Sequence, residues 1–293
     1  MTTVTAIAVL SVVLGSALTG CGSTPGGSPA DRPAASAAAP SGASSRAPSR
    51  APSSAPPATG KPPNMAPGPA GLARVVERGP KSADKVVALT FDADMTADEG
   101  PRAAEGEHFD NPELIGLLRR LKVPATVFMT GRWAEEYPAQ ARSIGTDPLF
   151  EIANHSYSHY AFTSPCYGLP TMGSEEIGGE VERAFGAIRR TGARNVVPYF
   201  RFPGGCYDDD SLRALAAQKV TAVQWDVVSG DAFATDADAV AEQVLDGVKP
   251  GSLVVMHCTR SAAPVTAEAV GQVVPELRKR GYRFVKVSEL MTG

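Results

Sequence analysis

Residues 86–94, which read VVALTFDAD, constrain the fold of this chain more than any other segment. Val86 to Phe91 form a short apolar run rich in β-branched residues. Such a run predicts a strand that is buried on both faces, as in a parallel sheet. Asp92 and Asp94 follow it, and they would share one face if the extended geometry continued. Carboxylates that close need a cation or a proton between them. A helix N-cap or a solvated turn is the alternative interpretation of the pair.

From residue 73 onward, strands alternate with amphipathic helices. The predicted strands span 86–91, 125–129, 150–153, 196–200, 220–225, 253–256 and 284–287. The predicted helices begin at Asn111–Pro112, span 134–144, are capped by Ser174, span 211–219, are opened by Thr235 and span 266–280. About seven such alternations predict a parallel α/β sheet, open or closed into a barrel.

Polar residues stand at the ends of several predicted strands, at positions 92, 94, 155, 201, 231 and 257. In a β/α barrel the carboxyl ends of the strands meet at one face, where active sites are built. We therefore expect these side chains to converge although they are distant in sequence.

The N-terminal residues do not follow the strand–helix pattern. Residues 4–19 are apolar but too short for a comfortable membrane span, which predicts an export signal over residues 1–20. A buried N-terminal helix is the alternative. The ending Leu18-Thr19-Gly20-Cys21 resembles a bacterial lipobox, which implies a lipid on Cys21 that anchors the protein to the cell membrane, outside the cytoplasm.

Residues 21–72 are nearly all Gly, Ser, Ala, Pro and Thr, which predicts a disordered tether. A catalytic domain is expected over residues 73–293.

The charge balance argues against a nucleic-acid partner. The chain carries 28 basic and 31 acidic residues, for a formal net charge of -3. Proteins that bind nucleic acids usually present a basic face. We expect a monomer whose partners are its substrate and, through Cys21, a membrane.

His155 and His159 stand four residues apart. One helical turn would bring both imidazoles to one side, where they could bind a common ion. Solvated or core histidines are the alternative. With a carboxylate at a strand end, the pair would complete the two-His-one-carboxylate set of a catalytic metal. His108, in a polar loop, is not expected to take part.

Five motifs, taken in order, resemble those of the polysaccharide deacetylases of carbohydrate esterase family 4, the NodB-homology domain. They are Thr90-Phe91-Asp92-Ala93-Asp94, His155-Ser156-Tyr157-Ser158-His159, Arg201-Phe202-Pro203-Gly204, Val228-Ser229-Gly230-Asp231-Ala232 and Val255-Met256-His257. The resemblance covers about residues 80–290. It implies an α/β fold, a distorted (β/α)7-8 barrel, and metal-dependent removal of N-acetyl groups from an amino-sugar polysaccharide such as peptidoglycan or chitin. An O-acetyl esterase of acetylated xylan, or a non-catalytic wall-binding lipoprotein on the same fold, are the alternatives.

The resemblance also implies roles for the residues that would move protons. Asp92 resembles the catalytic base that accepts a proton from water, and Arg201 resembles the arginine that orients this base. His257 resembles the general acid that protonates the leaving amine, and Asp231 the carboxylate that keeps His257 charged.

The implied metal ligands are His155, His159 and a carboxylate. In the family the third ligand directly follows the base, where this chain has Ala93. We therefore assign Asp94 as the third ligand. Zn²⁺ is the expected ion, with Co²⁺ or Ni²⁺ as alternatives.

The remaining implied positions contact the acetyl group. The backbone N–H of Gly204 stands where the family places an oxyanion donor. The Trp of the fourth motif is missing, since Ala232 follows Asp231. Trp225 or Phe233, with Val255, is expected to line the acetyl pocket instead.

Three cysteines remain besides Cys21. Export permits a disulfide, and a bond between Cys166 and Cys206 would join two loops of the site. Three reduced cysteines are the alternative. Cys258 ends a predicted strand and is expected to be buried.

Replacement of Cys21 by Ala is predicted to release the protein from membranes, because the sequence before residue 73 supplies no other anchor once the signal is removed. Cell fractionation followed by immunoblotting measures this. Ser23→Ala, two residues away, is the matched control and should leave the membrane fraction unchanged. A Cys21→Ala protein that stays in the membrane fraction at the wild-type level would refute the lipoprotein interpretation.

Overall fold

The strands form a single parallel sheet that curls into a half-barrel. This is a computed structural model, and it describes residues 68–80 and 84–292. The strands in these residues are β1 (Val75–Val76), β2 (Val86–Ala93), β3 (Ala125–Met129), β4 (Phe150–Asn154), β5 (Val196–Phe200), β6 (Thr221–Val223), β7 (Val227–Val228), β8 (Ser252–His257) and β9 (Arg283–Phe284). The half-barrel agrees with the predicted distorted (β/α)7-8 fold.

Helices connect most of the strands and cover the convex face of the sheet. They are α1 (Glu99–Ala104), α2 (Pro112–Leu121), α3 (Gly131–Glu136), α4 (Pro138–Gly145), α5 (Ile177–Arg190), α6 (Asp209–Ala216), α7 (Ala237–Gly247), α8 (Thr266–Lys279) and α9 (Val287–Leu290). Within the described part of the chain, no helix is long and apolar enough to cross a membrane.

Strand β2 lies at the centre of the fold. The strand order is β1-β6-β5-β4-β3-β2-β8-β7, and β9 pairs with the start of β2. In the parallel register Asp92 is opposite Phe128 of β3 and His257 of β8. The carboxyl ends of the three strands are therefore level, and their last side chains meet.

The core lies on both sides of this sheet, as the apolar run at 86–91 predicts. Leu89 and Phe91 are buried in the cluster between the sheet and the helices. Ala88 faces the other way and packs with Phe128 and Leu253 on the concave side. Successive residues of β2 therefore alternate between two buried layers.

A register shift in β5 sets the position of Arg201. Ile152 is paired with Val196, but Asn154 is paired with Phe200, so two steps along β4 match four along β5. Pro198 lies in the interval, and proline has no N–H to donate to the ladder. Beyond the shift, the Arg201 N–H donates to the Asn154 carbonyl at 2.9 Å, which brings Arg201 beside His155.

Several predicted helix boundaries are wrong. The helix predicted over 134–144 is divided into α3 and α4 at Pro138, which occupies the first turn of α4. The helix after Ser174 begins only at Ile177, and Ser174 does not cap it. Helix α7 is capped by Asp236, whose side chain accepts from two backbone N–H groups, and not by Thr235.

Three other segments differ from their predictions. The polar segment before α2, where no helix is predicted, contains α1. The strand predicted over 284–287 is β9, which ends at Phe284, followed by α9. The strand predicted over 220–225 covers only 221–223. These short elements carry too few residues for a periodicity to be recognised.

The structure resolves the pairing of the cysteines. Cys166 and Cys206 form a disulfide across a sequence separation of 40 residues, and Cys258 is free and buried. The residues of the predicted signal at 1–20, Cys21 and most of the predicted tether at 21–72 lie outside the described residues.

Replacing both Cys166 and Cys206 by Ser is predicted to lower the free energy of unfolding by about 4 kcal/mol, from the chain entropy of a loop of 40 residues. Urea unfolding of the oxidised wild type and the double variant measures this. Wild type unfolded in the presence of a reductant should approach the variant. Equal stability of the oxidised wild type and the variant would show that this cross-link does not stabilise the fold.

Candidate active site

Asp92 and Arg201 form a buried ion pair at the base of the candidate site. The Arg201 Nη1 donates to Asp92 Oδ1 at 2.7 Å, and both side chains are buried. The same guanidinium donates to the carbonyls of Val223 and Gln224 and lies 3.9 Å from the ring centroid of Phe128. Asp92 is therefore held in one orientation, with Oδ2 left facing His155.

His155 is oriented by the backbone of Arg201. The His155 Nδ1 lies 3.0 Å from the Arg201 carbonyl, which can only accept, so Nδ1 carries the proton. The other ring nitrogen, Nε2, lies 3.7 Å from Asp92 Oδ2. A neutral Nε2 with its partner nitrogen bonded to a carbonyl is the usual arrangement of a metal-binding histidine.

The two histidines come together through a loop and not through the predicted helical turn. Ser156 and His159 both have left-handed backbones, with φ of 66° and 60°. The Asn154 side chain accepts from the Ser156 N–H at 2.8 Å, and the Ser156 hydroxyl accepts from the His159 N–H at 3.0 Å. Glu180 accepts from three donors of Tyr157 and Ser158. The two imidazole centroids end 5.0 Å apart.

Asp94 lies beside His159, nearer the opening of the site. Its Oδ2 is 3.8 Å from His159 Nε2, and Thr259 donates to its Oδ1 at 2.5 Å. Burial by itself raises the pKa of Asp94, but His159, His257 and the Thr259 bond outweigh it and lower the pKa. Burial lowers the pKa of His159 to about 4, although Asp94 opposes this. At neutral pH the site therefore presents a carboxylate and a neutral imidazole, the forms that bind metals.

The donor set suits a divalent metal in its chemistry. Two ligands of a tetrahedral Zn²⁺, each about 2.0–2.2 Å from the ion, lie roughly 3.3 Å apart. The proposed ligands His159 and Asp94 lie 3.8 Å apart, a few tenths of an ångström wider than this. Within the described residues, no three His, Cys, Asp or Glu side chains are already grouped to hold an ion. His159 and Asp94 would have to approach slightly on binding, and the metal stays a prediction.

His257 and Asp231 form a second charged pair at the carboxyl end of β8. Asp231 Oδ1 accepts from His257 Nδ1 at 2.8 Å, and Oδ2 accepts from the His257 N–H at 2.7 Å. The hydroxyls of Ser229 and Thr266 also donate to Asp231. Burial by itself would lower the pKa of His257, but the bond and the charge of Asp231 raise it to about 10. His257 is therefore a protonated donor at neutral pH.

Gly204 lies in a short 3-10 turn, Pro203–Gly205, with a left-handed φ of 64°. A Cβ at this position would lie 2.6 Å from the Sγ of Cys166. The disulfide thus occupies the space that a side chain at 204 would need. Position 204 therefore accommodates a glycine and not a larger residue.

The predicted acetyl-pocket residues take different positions. Val255 is buried two residues before His257 on the same strand, and Trp225 lies 5.3 Å from the Arg201 guanidinium. Phe233 is 84% exposed and does not line an enclosed pocket. His108, not expected to take part, bonds to Asp110 at 3.1 Å.

Sequence reasoning missed several residues that hold the site together. Asn154 had a usable signal, since Asn commonly bonds to the backbone two residues on and initiates a turn. Ser229 also had a signal, since it stands two residues before Asp231 in the fourth motif and bonds to it locally. Glu180, Thr259 and Thr266 had none, because their contacts arise only from the packing of other elements against the site.

The sequence comparisons agree with this geometry. Residues 79–223 match the polysaccharide deacetylase family. A chitooligosaccharide deacetylase of Sinorhizobium fredii is 29% identical over 198 residues, covering 64% of this chain and 86% of the relative. A peptidoglycan-N-acetylglucosamine deacetylase of Bacillus cereus is 27% identical over 205 residues, covering 70% and 67%.

Solved structures share the fold. A Bacillus anthracis pseudoenzyme of carbohydrate esterase family 4 is 26% identical, with a TM-score of 0.59, covering 74% of this chain and 69% of that one. Its mutant with restored enzymatic activity is 27% identical, with the same TM-score, covering 74% and 71%. A Clostridium thermocellum family 4 acetyl xylan esterase in complex with cobalt is 24% identical, with a TM-score of 0.56 over 71% and 91%, and shows the fold alone.

The match over residues 79–223 and the solved structures of carbohydrate esterase family 4 identify the class of protein. The chain belongs to the polysaccharide deacetylase family, whose named relatives remove acetyl groups from amino-sugar chains.

Replacing Asp231 by Asn is predicted to lower the pKa of His257 by about one to three pH units, because the imidazolium loses its charged acceptor. NMR titration of the His257 ring in metal-free protein measures this. Asp210→Asn, an exposed acid on α6, should leave the titration unchanged. A pKa of His257 that stays at about 10 in Asp231→Asn would contradict the assignment.

The same pair predicts a pH dependence of stability. The pKa of His257 in the folded protein, about 10, lies above its ordinary value of 6.5. The pair therefore stabilises the fold fully below pH 6.5, and this stabilisation is lost as pH rises through about 10. Urea unfolding at pH 6 and pH 10 should show the loss in wild type and a smaller loss in Asp231→Asn.

Proposed function

We propose that this protein hydrolyses the N-acetyl groups of an amino-sugar polysaccharide and releases acetate, with the help of a divalent metal. The observation that carries the proposal is the placement of Asp92, fixed by Arg201, between the His155–His159 pair and the protonated His257. The names of the chitooligosaccharide and peptidoglycan relatives support the substrate class.

The metal would be held by His155, His159 and Asp94. When bound, such an ion lowers the pKa of a water and polarises a carbonyl, the two effects that amide hydrolysis needs at neutral pH. The Arg201 carbonyl orients the His155 ring, and His159 is neutral at neutral pH because burial lowers its pKa to about 4. Zn²⁺ is the ion we favour, with Co²⁺ or Ni²⁺ as alternatives.

Asp92 acts as the general base in this proposal. Arg201 occupies its Oδ1, so Oδ2 is the oxygen that accepts a proton from the attacking water. The water then attacks the acetyl carbonyl. The oxygen of that carbonyl becomes negative, and the backbone N–H of Gly204 is the proposed donor to it.

His257 acts as the general acid. An amine is a poor leaving group unless it is protonated, and His257 is charged at neutral pH because of Asp231. One group must be deprotonated and the other protonated for turnover, so the rate should show a bell-shaped pH profile. Collapse of the intermediate breaks the C–N bond and passes the His257 proton to the sugar amine.

We also propose that the enzyme works outside the cytoplasm on a lipid anchor. The lipobox-like sequence ending at Cys21 and the composition of residues 21–72 support this location. A tether of about 50 residues reaches roughly 40 Å as a coil, which suits a domain that acts on a polymer near the membrane.

The substrate is tested by measuring acetate release from peptidoglycan, chitin oligomers and acetylated xylan, each with and without a chelator. The proposal expects chelator-sensitive release from the amino-sugar polymers. Release from xylan alone would favour the O-acetyl esterase. No release from any of the three, with the metal restored, would favour the non-catalytic alternative.

The two aspartates are predicted to fail in different ways. Asp92→Asn should keep its metal and lose about two to four decades of rate, the usual range for a general base. Asp94→Ala should lose metal to the same extent as His155→Ala, because each removes a ligand. Metal content and the rate on a chitin oligomer are measured for each variant.

Asp98→Asn, an acid in the next turn of the chain, is the matched control and should retain both metal and rate. Near-wild-type turnover of Asp92→Asn would rule out the proposed base. Full metal occupancy in Asp94→Ala would show that another group completes the ligand set.

A further inference from the structure

Few large apolar side chains are exposed on the described surface, and their location is not random. Among the described residues these are Tyr167 at 90%, Phe233 at 84% and Val228 at 52% exposure. Each lies in a segment that follows the carboxyl end of a strand or ends one. Exposed aromatic rings collected around one site indicate a surface that binds something.

Tyr167 adjoins the proposed oxyanion donor. It directly follows Cys166, and its Cδ2 lies 3.4 Å from where a Cβ on Gly204 would stand. The Cys166–Cys206 disulfide fixes the base of this loop against the segment after β5. The loop that contains Tyr167 is therefore cross-linked at its base, and the tyrosine ring remains exposed.

Phe233 adjoins the proposed general acid on the other flank. It lies two residues after Asp231, and its N–H donates to the carbonyl of Ala262 at 2.6 Å, in the loop after β8. The next residue, Ala234, donates back to the Asp231 carbonyl at 3.1 Å. The backbone at Phe233 and Ala234 is therefore hydrogen-bonded to the loop after β8 and to Asp231, the partner of His257.

Both aromatic residues have left-handed backbones, with φ of 46° at Tyr167 and 60° at Phe233. For bulky side chains this conformation is uncommon and unfavourable. Neither ring recovers this cost through burial. Backbone strain of this kind clusters at active sites and at segments that hold ligands.

The strand order places the rings on opposite sides of the catalytic centre. Tyr167 belongs to the β4–α5 connection, and Phe233 follows β7. In the sheet, β4 and β5 lie on one side of β2, while β8 and β7 lie on the other. A chain that brings one sugar to Asp92 would pass its neighbouring sugars over one ring or the other.

We propose that Tyr167 and Phe233 are stacking platforms for the sugars on either side of the one being deacetylated, so that the enzyme prefers an oligomer or polymer to a single sugar. The apolar C–H face of a pyranose ring packs on an aromatic ring, and the ring keeps little conformational entropy to lose. The inference rests on the proposed function for the identity of the occupant, a β-linked amino-sugar chain. The contacts of Tyr167 with the Gly204 position and of the 233–234 backbone with Asp231 do not depend on that function.

The test compares Tyr167→Ala and Phe233→Ala with Tyr167→Phe and Phe233→Tyr, which keep a ring at each position. Steady-state acetate release is measured on the N-acetylglucosamine pentamer and dimer. Each Ala variant should raise KM for the pentamer by about tenfold, the loss of one stacked ring, with kcat nearly unchanged and a smaller effect on the dimer. The ring-preserving variants should behave as wild type.

Retention of the full chain on insoluble chitin provides a readout that does not require turnover. Wild type should be retained, and the Ala variants should be retained less. If the Ala variants match wild type in both KM and retention, the platforms do not exist. If wild type binds chitin through the two rings but releases no acetate, the inference stands and the proposed deacetylation fails. If wild type neither binds chitin nor turns over the pentamer, both are wrong for this polymer.

Discussion

The burial of the Arg201 guanidinium is the constraint on which the rest of the site depends. A buried charge is costly unless it is paired and its hydrogen bonds are satisfied. Here Asp92 supplies the counter-charge, and the carbonyls of Val223 and Gln224 accept the other N–H groups. The Arg201 side chain, directly after β5, thereby connects the carboxyl ends of β2 and β6 through these bonds. Its own carbonyl then fixes the tautomer of His155, so the base and one proposed ligand are oriented by the same residue.

The site divides into a fixed interior and a more open rim. Asp92, His155 and Arg201 are deeply buried, whereas Asp94, His159 and His257 are nearer solvent. Burial disfavours the charged forms of Asp94, His159 and His257, and these three groups differ in the partner that opposes this effect. Asp231 raises the pKa of His257, while His159 and His257 help to lower the pKa of Asp94. These neighbouring charges thus keep His257 protonated and Asp94 deprotonated in the same site.

The architecture could be predicted from the sequence because each long strand has its own periodic or apolar pattern. The apolar run ending at Phe91 and the run at 125–129 are strands in the structure, and the polar residues that follow them converge because parallel strands end at one face. What could not be predicted depends on contacts between distant segments. The loop that joins His155 and His159 is held by Glu180 from α5, and the choice between a disulfide and free thiols depended on where Cys206 lies in space.

The replacement of the usual second aspartate by Ala93 has a structural cause in β2. Phe91, Ala93 and Met95 are all buried in the cluster between the sheet and the helices. The alternation of the strand therefore continues to Met95, past the last ladder residue. A carboxylate at 93 would point into that apolar layer, where an unpaired charge is very unfavourable. Asp94 instead falls on the face of Asp92, and Thr259 from the β8–α8 loop donates to it. The alanine, Asp94 and the threonine therefore belong to one arrangement, in which the alternation along β2 turns residue 93 toward the apolar layer and residue 94 toward the site.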